Sequence, residues 1–272
     1  MDIGLPQRST AGTVMSSNDE QNHEAAVASD ETNKQRWFPL ESNPDLLNKY
    51  ISKFGFDTSL YEFVDVFSTE SWALEMIPQP VAAVMVLYPI TDNQEAWRAR
   101  EETERVKELD SISSKIWWQK QRIGNACGTI GLIHALANIP EGLRAVTYGS
   151  KEDCWLKTFF DKCPTELDGH IKAEILESDT LLQALHEEAS SDEANQTNRG
   201  TIDDDVDTHF IALVHVDGGL YELDGRKGGP IRHGDTNEMD LLSDACKVVE
   251  KFMSRDPGDL RFTILALAPK YD

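Results

Sequence analysis

The sequence predicts an α+β fold, with helices flanking a central and mainly antiparallel sheet. Three observations carry that expectation. Helical and extended apolar patterns interleave along most of the chain, and two of the extended runs are joined by a tight D-G-G turn. With 272 residues and 40% hydrophobic content, the chain can bury a full core in one domain or at most two.

Residues 1–35 are rich in Ser, Thr, Asn, Gln, Ala and acids. Such a segment cannot bury enough apolar surface to offset its ordering entropy, so a disordered tail is expected, followed by one domain over 36–272. Asn43 as cap, Pro44 at the first position and the stripe Leu46, Leu47, Tyr50, Ile51 and Phe54 predict a helix that Gly55 stops. LYEFVDVF at 60–67 and VAAVMVLY at 81–88 read as strands. A charged helix over about 92–110 follows. The segment 126–138 is apolar on nearly every side, which predicts a helix buried in the domain centre. Further helices are expected over 150–162, 170–187 and 238–254. HFIALVHV at 209–216 and LYEL at 220–223 form a hairpin through the turn at 217–219, and LRFTILALA at 260–268 closes the sheet. The acidic, polar stretch 187–208 is longer than an ordinary connection, which marks it as functional or disordered.

The formal net charge of -22 excludes the basic face that a nucleic-acid binder needs, and suits a basic partner or plain solubility. The apolar run at 81–88 is too short to span a bilayer, and MDIGLPQRST has no apolar core of signal-peptide length. Neither nucleic acid nor membrane is expected as a partner. The expected compartment is the cytoplasm, with the nucleus as a second. Cys127, Cys154, Cys163 and Cys246 show no C-x-x-C spacing, so neither a zinc site nor a disulfide framework is expected. No G-x-S-x-G elbow, P-loop, H-E-x-x-H or dinucleotide turn occurs, and no cofactor is implied. GRKGGP at 225–230 reads as an ordinary loop.

The chemistry concentrates in QRIGNACGTIG at 121–131. Cys127 stands at a helix start, where unpaired N–H groups and the helix dipole stabilise a thiolate and can also bind an oxyanion. Ala126 and Gly128 leave room for a carbonyl, and Gln121 can bring in another N–H donor. A cysteine so placed also serves as an inert core thiol. His134 lies two turns along the same helix and is too far to act as the base, which suits a core histidine. His209 and Asp224 sit at the open ends of the hairpin, as a Cys–His–Asp triad requires. Spacing alone leaves His215 open as the base, and Asp224 open as a turn cap before Gly225.

At these residues the chain resembles the ubiquitin C-terminal hydrolases, a family of papain-like cysteine proteases. The segments that carry the likeness are Q-x-x-x-N-A-C-G-T-I-G-L-I-H at 121–134, H-F-I-A-L-V-H-V-D-G at 209–218 and L-Y-E-L-D-G-R at 220–226. W-F-P-L-E-S-N-P at 37–44 and D-L-R-F at 259–262 add to it. The resemblance implies a papain-like cysteine hydrolase fold of the short, single-domain kind. It implies Cys127 as nucleophile, His209 as base, Asp224 as its orienting carboxylate and Gln121 as oxyanion donor. It places the family's active-site crossover loop on 187–208. It places ubiquitin contacts at Pro39, Leu40, Glu41, Ser42, Asn43 and Pro44, at Asp192 and Arg199 on the loop, and at Asp259, Leu260, Arg261 and Phe262. The expected activity is thiol hydrolysis after the C-terminal glycine of ubiquitin by a monomer that releases small or unfolded leaving groups. A hydrolase for a ubiquitin-like modifier and a non-catalytic ubiquitin-binding module are the competing readings.

Overall fold

Asn43 opens the first helix as its sequence dictates: the side-chain oxygen accepts from the N–H groups of Asp45 and Leu46, and Pro44 fills the first position. The computed structural model describes residues 1, 35–105, 107, 112–195, 202, 204 and 206–271. The chain divides into two units, Met1–Lys34 and Gln35–Asp272, and every element named belongs to the second. The expected disordered tail lies, apart from its two ends, outside the described residues, as does Arg199.

In chain order the elements are α1 (Pro44–Lys53), β1 (Tyr61–Asp65), α2 (Ser71–Leu74), β2 (Ala83–Pro89), α3 (Asp92–Arg105) and α4 (Cys127–Ala137). Then come α5 (Glu141–Arg144), a π-helical turn over Ala145–Gly149, α6 (Trp155–Lys162), α7 (Gly169–Glu177) and α8 (Thr180–Ser190). β3 (Thr208–Val216), β4 (Gly219–Leu223), β5 (Ile231–Asp235), α9 (Leu241–Met253) and β6 (Thr263–Pro269) complete the domain.

The six strands form one sheet in the order β1-β6-β2-β3-β4-β5, and every pair is antiparallel. Strand alternation sends Ala83, Met85, Ala212, Val214, Leu265 and Leu267 into one core, with α1 and α4. It sends Val84, Val86, Ile211, Leu213, Ile264 and Ala266 into a second core beneath α9. A sheet covered on both faces explains why its central strands read as unbroken apolar runs. All eleven residues of α4 are buried, in keeping with its apolar surround.

Several boundaries differ from the sequence reading, each for a local reason. The helix expected over 170–187 is two helices: the Asp179 carboxylate accepts from Leu182 N–H and caps a fresh start. α8 then runs to Ser190, so the irregular stretch opens at Ser191 rather than at 187. The helix expected from 150 begins at Trp155, with Cys154 as its cap. The hairpin loop is the two residues Asp217 and Gly218, at φ 50° and 79°, so the second glycine of the turn already belongs to β4. β5 was not anticipated. It is a polar edge strand with a single large apolar residue, Ile231, and so lacks the pattern that marks buried strands.

Candidate active site

Two stretches of chain, far apart in sequence, meet at the N-terminus of α4. In the first, the backbone of residues 35–37 pairs with Gly124, and Asn125 takes the left-handed conformation at φ 60°. Asparagine tolerates that region better than most residues, and the turn makes Cys127 the first residue of α4. The N-cap is Ala126, whose side chain cannot bond the helix's first N–H groups. One of these, Gly128 N–H, favours the charged form of the Cys127 sulfur.

The second stretch is the hairpin. Its register pairs Ala212 with Leu223, and carried one residue further it sets Asp224 against Ile211, two residues from His209. His209 Nε2 lies 2.7 Å from Asp224 Oδ1, and both side chains are buried. The other ring nitrogen, Nδ1, is thereby left free of the carboxylate, and His209 stands close enough to Cys127 for each to shift the other's pKa. The same carboxylate oxygen accepts from Arg226 N–H at 2.7 Å, while Oδ2 is buried and finds no partner among the described residues. Asp224 thus closes a turn and orients a histidine at once; the two roles left open by spacing are not exclusive.

Burial pushes the Cys127 thiol up, but the His209 imidazolium and the Phe210 and Gly128 N–H groups bring it below the ordinary thiol range. For His209, burial disfavours the charged ring, yet the Asp224 carboxylate and the Cys127 sulfur carry it to about 9. Asp224 is held well below the usual carboxylate range: burial opposes this, and the His209 charge and the Lys227 ammonium overcome it. The arrangement favours a thiolate–imidazolium pair backed by a carboxylate. Such a set attacks a carbonyl carbon and returns a proton to the leaving group.

His215 sits at the opposite end of β3, where its Nε2 accepts from Gly218 N–H at 3.1 Å. It belongs to the turn and not to the site. His134 is fully buried, its Nε2 facing Gln119 N–H and carbonyl at 3.2 and 3.1 Å, and burial drives it down to about 4. It is a core histidine that secures the segment leading to Gln121. Gln121 packs against the turn after Asp224: its N–H donates to Gly225 O at 2.9 Å, and a side chain on Gly225 would meet Gln121 Cβ at 2.7 Å. Its amide donates to Ile123 O at 3.1 Å, and its Oε1 is buried without a partner among the described residues.

The two segments expected to contact a partner are neighbours, since Ser42 Oγ donates to Thr263 Oγ1 at 3.1 Å. Within them Leu40 is buried in the core and Asn43 is spent on its cap, whereas Leu260 is 90% exposed. Pro39, Glu41, Ser42 and Pro44 are half-buried, as are Asp259 and Phe262. Arg261 pairs with both Asp259 and Asp207. Asp192 is held by Lys49 at 3.4 Å. Sequence reasoning missed Asn195. It is buried, accepts from Glu41 N–H at 2.9 Å and donates to Pro39 O at 3.3 Å, which ties the foot of the crossover stretch to the first segment. It also missed the charges packed around Lys227, in the loop read as ordinary. A lone asparagine and a lone lysine carry no periodic signal that could have exposed either.

A family model described as ubiquitin carboxyl-terminal hydrolase, family 1, matches residues 37–254. The chain is 40% identical over 245 residues to ubiquitin carboxyl-terminal hydrolase 3 of Arabidopsis thaliana, covering 90% of this chain and 99% of that one. It is 42% identical over 232 residues to the ubiquitin carboxyl-terminal hydrolase of Drosophila melanogaster, covering 85% and 96%. Its fold is similar to that of the Trichinella spiralis UCH37 catalytic domain bound to ubiquitin vinyl methyl ester, with a TM-score of 0.64, 22% identity, and coverage of 87% and 96%.

Proposed function

The chain belongs to the ubiquitin carboxyl-terminal hydrolase family of cysteine-type deubiquitinases, and from that premise we propose that it cleaves amide, ester or thioester bonds after the C-terminal glycine of ubiquitin through an acyl-enzyme on Cys127. The observation that carries the reading is the buried line Cys127–His209–Asp224, with 2.7 Å between the last two. The thiolate adds to the glycine carbonyl carbon, and the charge that develops on oxygen is met by backbone N–H at the start of α4 and by the Gln121 amide. His209 Nδ1 gives its proton to the leaving nitrogen, oxygen or sulfur, so the bond breaks without expelling a strong base. Water, deprotonated by the now neutral ring, releases ubiquitin and regenerates the thiolate. Asp224 keeps the ring oriented throughout. The test is turnover of a ubiquitin C-terminal fluorogenic amide beside the Cys127→Ala protein; folded wild type with no turnover overturns the reading.

Gln121→Ala should lower kcat by about 100-fold, with KM changed little, because the lost donor acts on charge present only in the transition state. An unchanged kcat, with chemistry shown to limit turnover, removes Gln121 from this role.

Ubiquitin is the partner, held along Pro39–Pro44 and Asp259–Phe262, and the enzyme acts as a monomer in the cytoplasm and nucleus. The crossover stretch is the filter on leaving groups, although residues 196–201, 203 and 205 lie outside the described ones. With Asn195 and Thr208 anchored, the chain between them spans at most about 44 Å at roughly 3.4 Å per residue. A chain of that length can enclose at most a semicircle about 28 Å wide and about 14 Å high, whereas a folded domain of roughly 75 residues is about 29 Å across. Small adducts and unfolded peptides pass; a second folded ubiquitin does not. Inserting ten Gly/Ser residues within 197–203 should raise cleavage of di-ubiquitin while leaving the small amide unaffected. Equal wild-type rates on both substrates, or no gain from the insertion, overturn the filter.

A further inference from the structure

The turn Asp224–Gly229 is fastened to α3 through charges, and one of these is buried deeply enough to matter to the site. Arg226 reaches Glu95 at 2.9 Å, but both side chains are about one-third exposed and such pairs contribute little. Gly228 N–H donates to Glu102 at 3.0 Å, also at the surface. Lys227 differs. It is 3% exposed, and its ammonium lies 2.5 Å from Glu222 on β4 and 2.7 Å from Glu101 on α3. Glu222 is fully buried, with its second oxygen 2.8 Å from His233 Nε2. Glu101 also meets Trp97 Nε1 at 2.7 Å and Arg255 at 3.6 Å.

We propose that Lys227 is a positioning residue for the Asp224–His209 pair, acting through the buried Glu222–Lys227–Glu101 cluster that clamps the turn between β4 and α3. The inference rests on the role given to Asp224 under Proposed function. The turn's geometry links the lysine to the base: Lys227 N–H donates to Asp224 O at 3.2 Å, and the neighbouring Arg226 N–H donates to the carboxylate oxygen that holds His209. A displacement of the lysine therefore shifts two of the bonds that fix Asp224, the third being Trp118 Nε1 to its carbonyl at 3.1 Å. The ammonium also stands among three carboxylates, Glu222, Glu101 and Asp224, and helps keep the two fully buried ones, Glu222 and Asp224, ionised. Without it, Glu222 retains His233, and Glu101 retains Arg255 and Trp97 Nε1. The turn keeps backbone contacts, from Lys120 Nζ to the Arg226 and Lys227 carbonyls at 2.9 and 3.1 Å and from Trp118 Nε1 to Asp224 O at 3.1 Å. It loses the ion pairs that tie it to Glu222 and Glu101, and removing one partner from a buried ion cluster leaves the others uncompensated.

The two ways in which the lysine could influence His209 have opposite signs. Loss of a nearby cation alone would raise the imidazole pKa. Loss of the Asp224 contact would lower it from about 9 toward the ordinary value of about 6.5. The pH profile of kcat/KM for the ubiquitin C-terminal fluorogenic amide separates them, because its alkaline limb reports the acid that protonates the leaving group. In the full chain, Lys227→Met should lower kcat by roughly 10- to 100-fold, with KM within about twofold, and move the alkaline limb down. Asp224→Asn should move it the same way, and Lys227→Arg should retain most of the activity. Because Lys227→Met also loosens the fold, Glu222→Gln/Lys227→Met is measured beside it, with thermal unfolding of each protein. Recovery of melting temperature without recovery of kcat supports positioning. A limb that stays near 9 in folded Lys227→Met, or kcat that returns together with melting temperature, overturns the proposal. An unmoved limb in Asp224→Asn instead overturns the role given to Asp224.

Discussion

Replacing Cys127 with alanine should lower turnover of a ubiquitin C-terminal amide by about 10⁴-fold or more, while ubiquitin itself still binds. The proposed binding segments, Pro39–Pro44 and Asp259–Phe262, lie outside the bond-making step, and sulfur has no neighbour able to replace it. Cys154, Cys163 and Cys246 are all buried. Burial raises the thiols of Cys163 and Cys246, the latter to about 12, so neither carries a thiolate at neutral pH. A ubiquitin bearing a C-terminal electrophile should label wild type once, label Cys127→Ala not at all, and label each of the other three cysteine variants normally. Loss of label in one of those three, in a folded protein, assigns the nucleophile elsewhere.

His209→Gln should cost about as much, roughly 10⁴-fold or more in kcat/KM, because thiolate and proton donor disappear together. Removal of the imidazolium leaves burial as the dominant influence on Cys127, so its pKa should climb and alkylation at neutral pH should slow. His215→Gln, at the far end of β3, should stay close to wild type; greater damage there than at His209 would place the base wrongly. In wild type the alkaline limb of kcat/KM should lie near 9, where His209 loses its proton. The same shift acts on folding. His209 is raised from 6.5 to about 9, so its contribution to stability is complete below about pH 6.5 and fades as pH rises through 9. Asp224 is depressed, and its contribution is lost only as pH falls below the ordinary carboxylate range. Melting temperature measured between pH 6 and 10 should therefore decline in wild type and decline less in His209→Gln.

The site was readable because its parts obey local rules. A cysteine before a run of small and apolar residues, preceded by asparagine, announces an open helix start. A D-G turn between apolar runs fixes a register that brings the hairpin's open ends together. What spacing left undecided, His209 against His215, the likeness to the family assigned to His209, which stands at the end of β3 that meets α4; no pattern within the hairpin encodes that. The central strands were legible because they are apolar on both faces. β5 was not, because an edge strand can be polar throughout. Asn195 and Lys227 escaped for another reason: each acts through partners more than a hundred residues away in sequence, at Glu41 and Glu101. The likeness to the family supplied roles for individual residues; physical pattern alone supplied the scaffold.

The division of the site between two distant stretches has a consequence for how the protein acquires its reactivity during folding. Gln121 and Cys127 come from one local stretch, and His209 and Asp224 from one hairpin. Joining them closes a loop of about 80 residues, an entropic cost met only when the sheet and α4 pack together. Before that closure Cys127 has neither its imidazolium neighbour nor a finished helix terminus, and its acidity is that of any cysteine in an open chain, near 8.5. A nascent or partly unfolded molecule therefore carries a dormant thiol, largely protonated at neutral pH and slow toward oxidants and electrophiles. Nucleophilicity appears with the native topology, so the completed fold itself is what arms the enzyme.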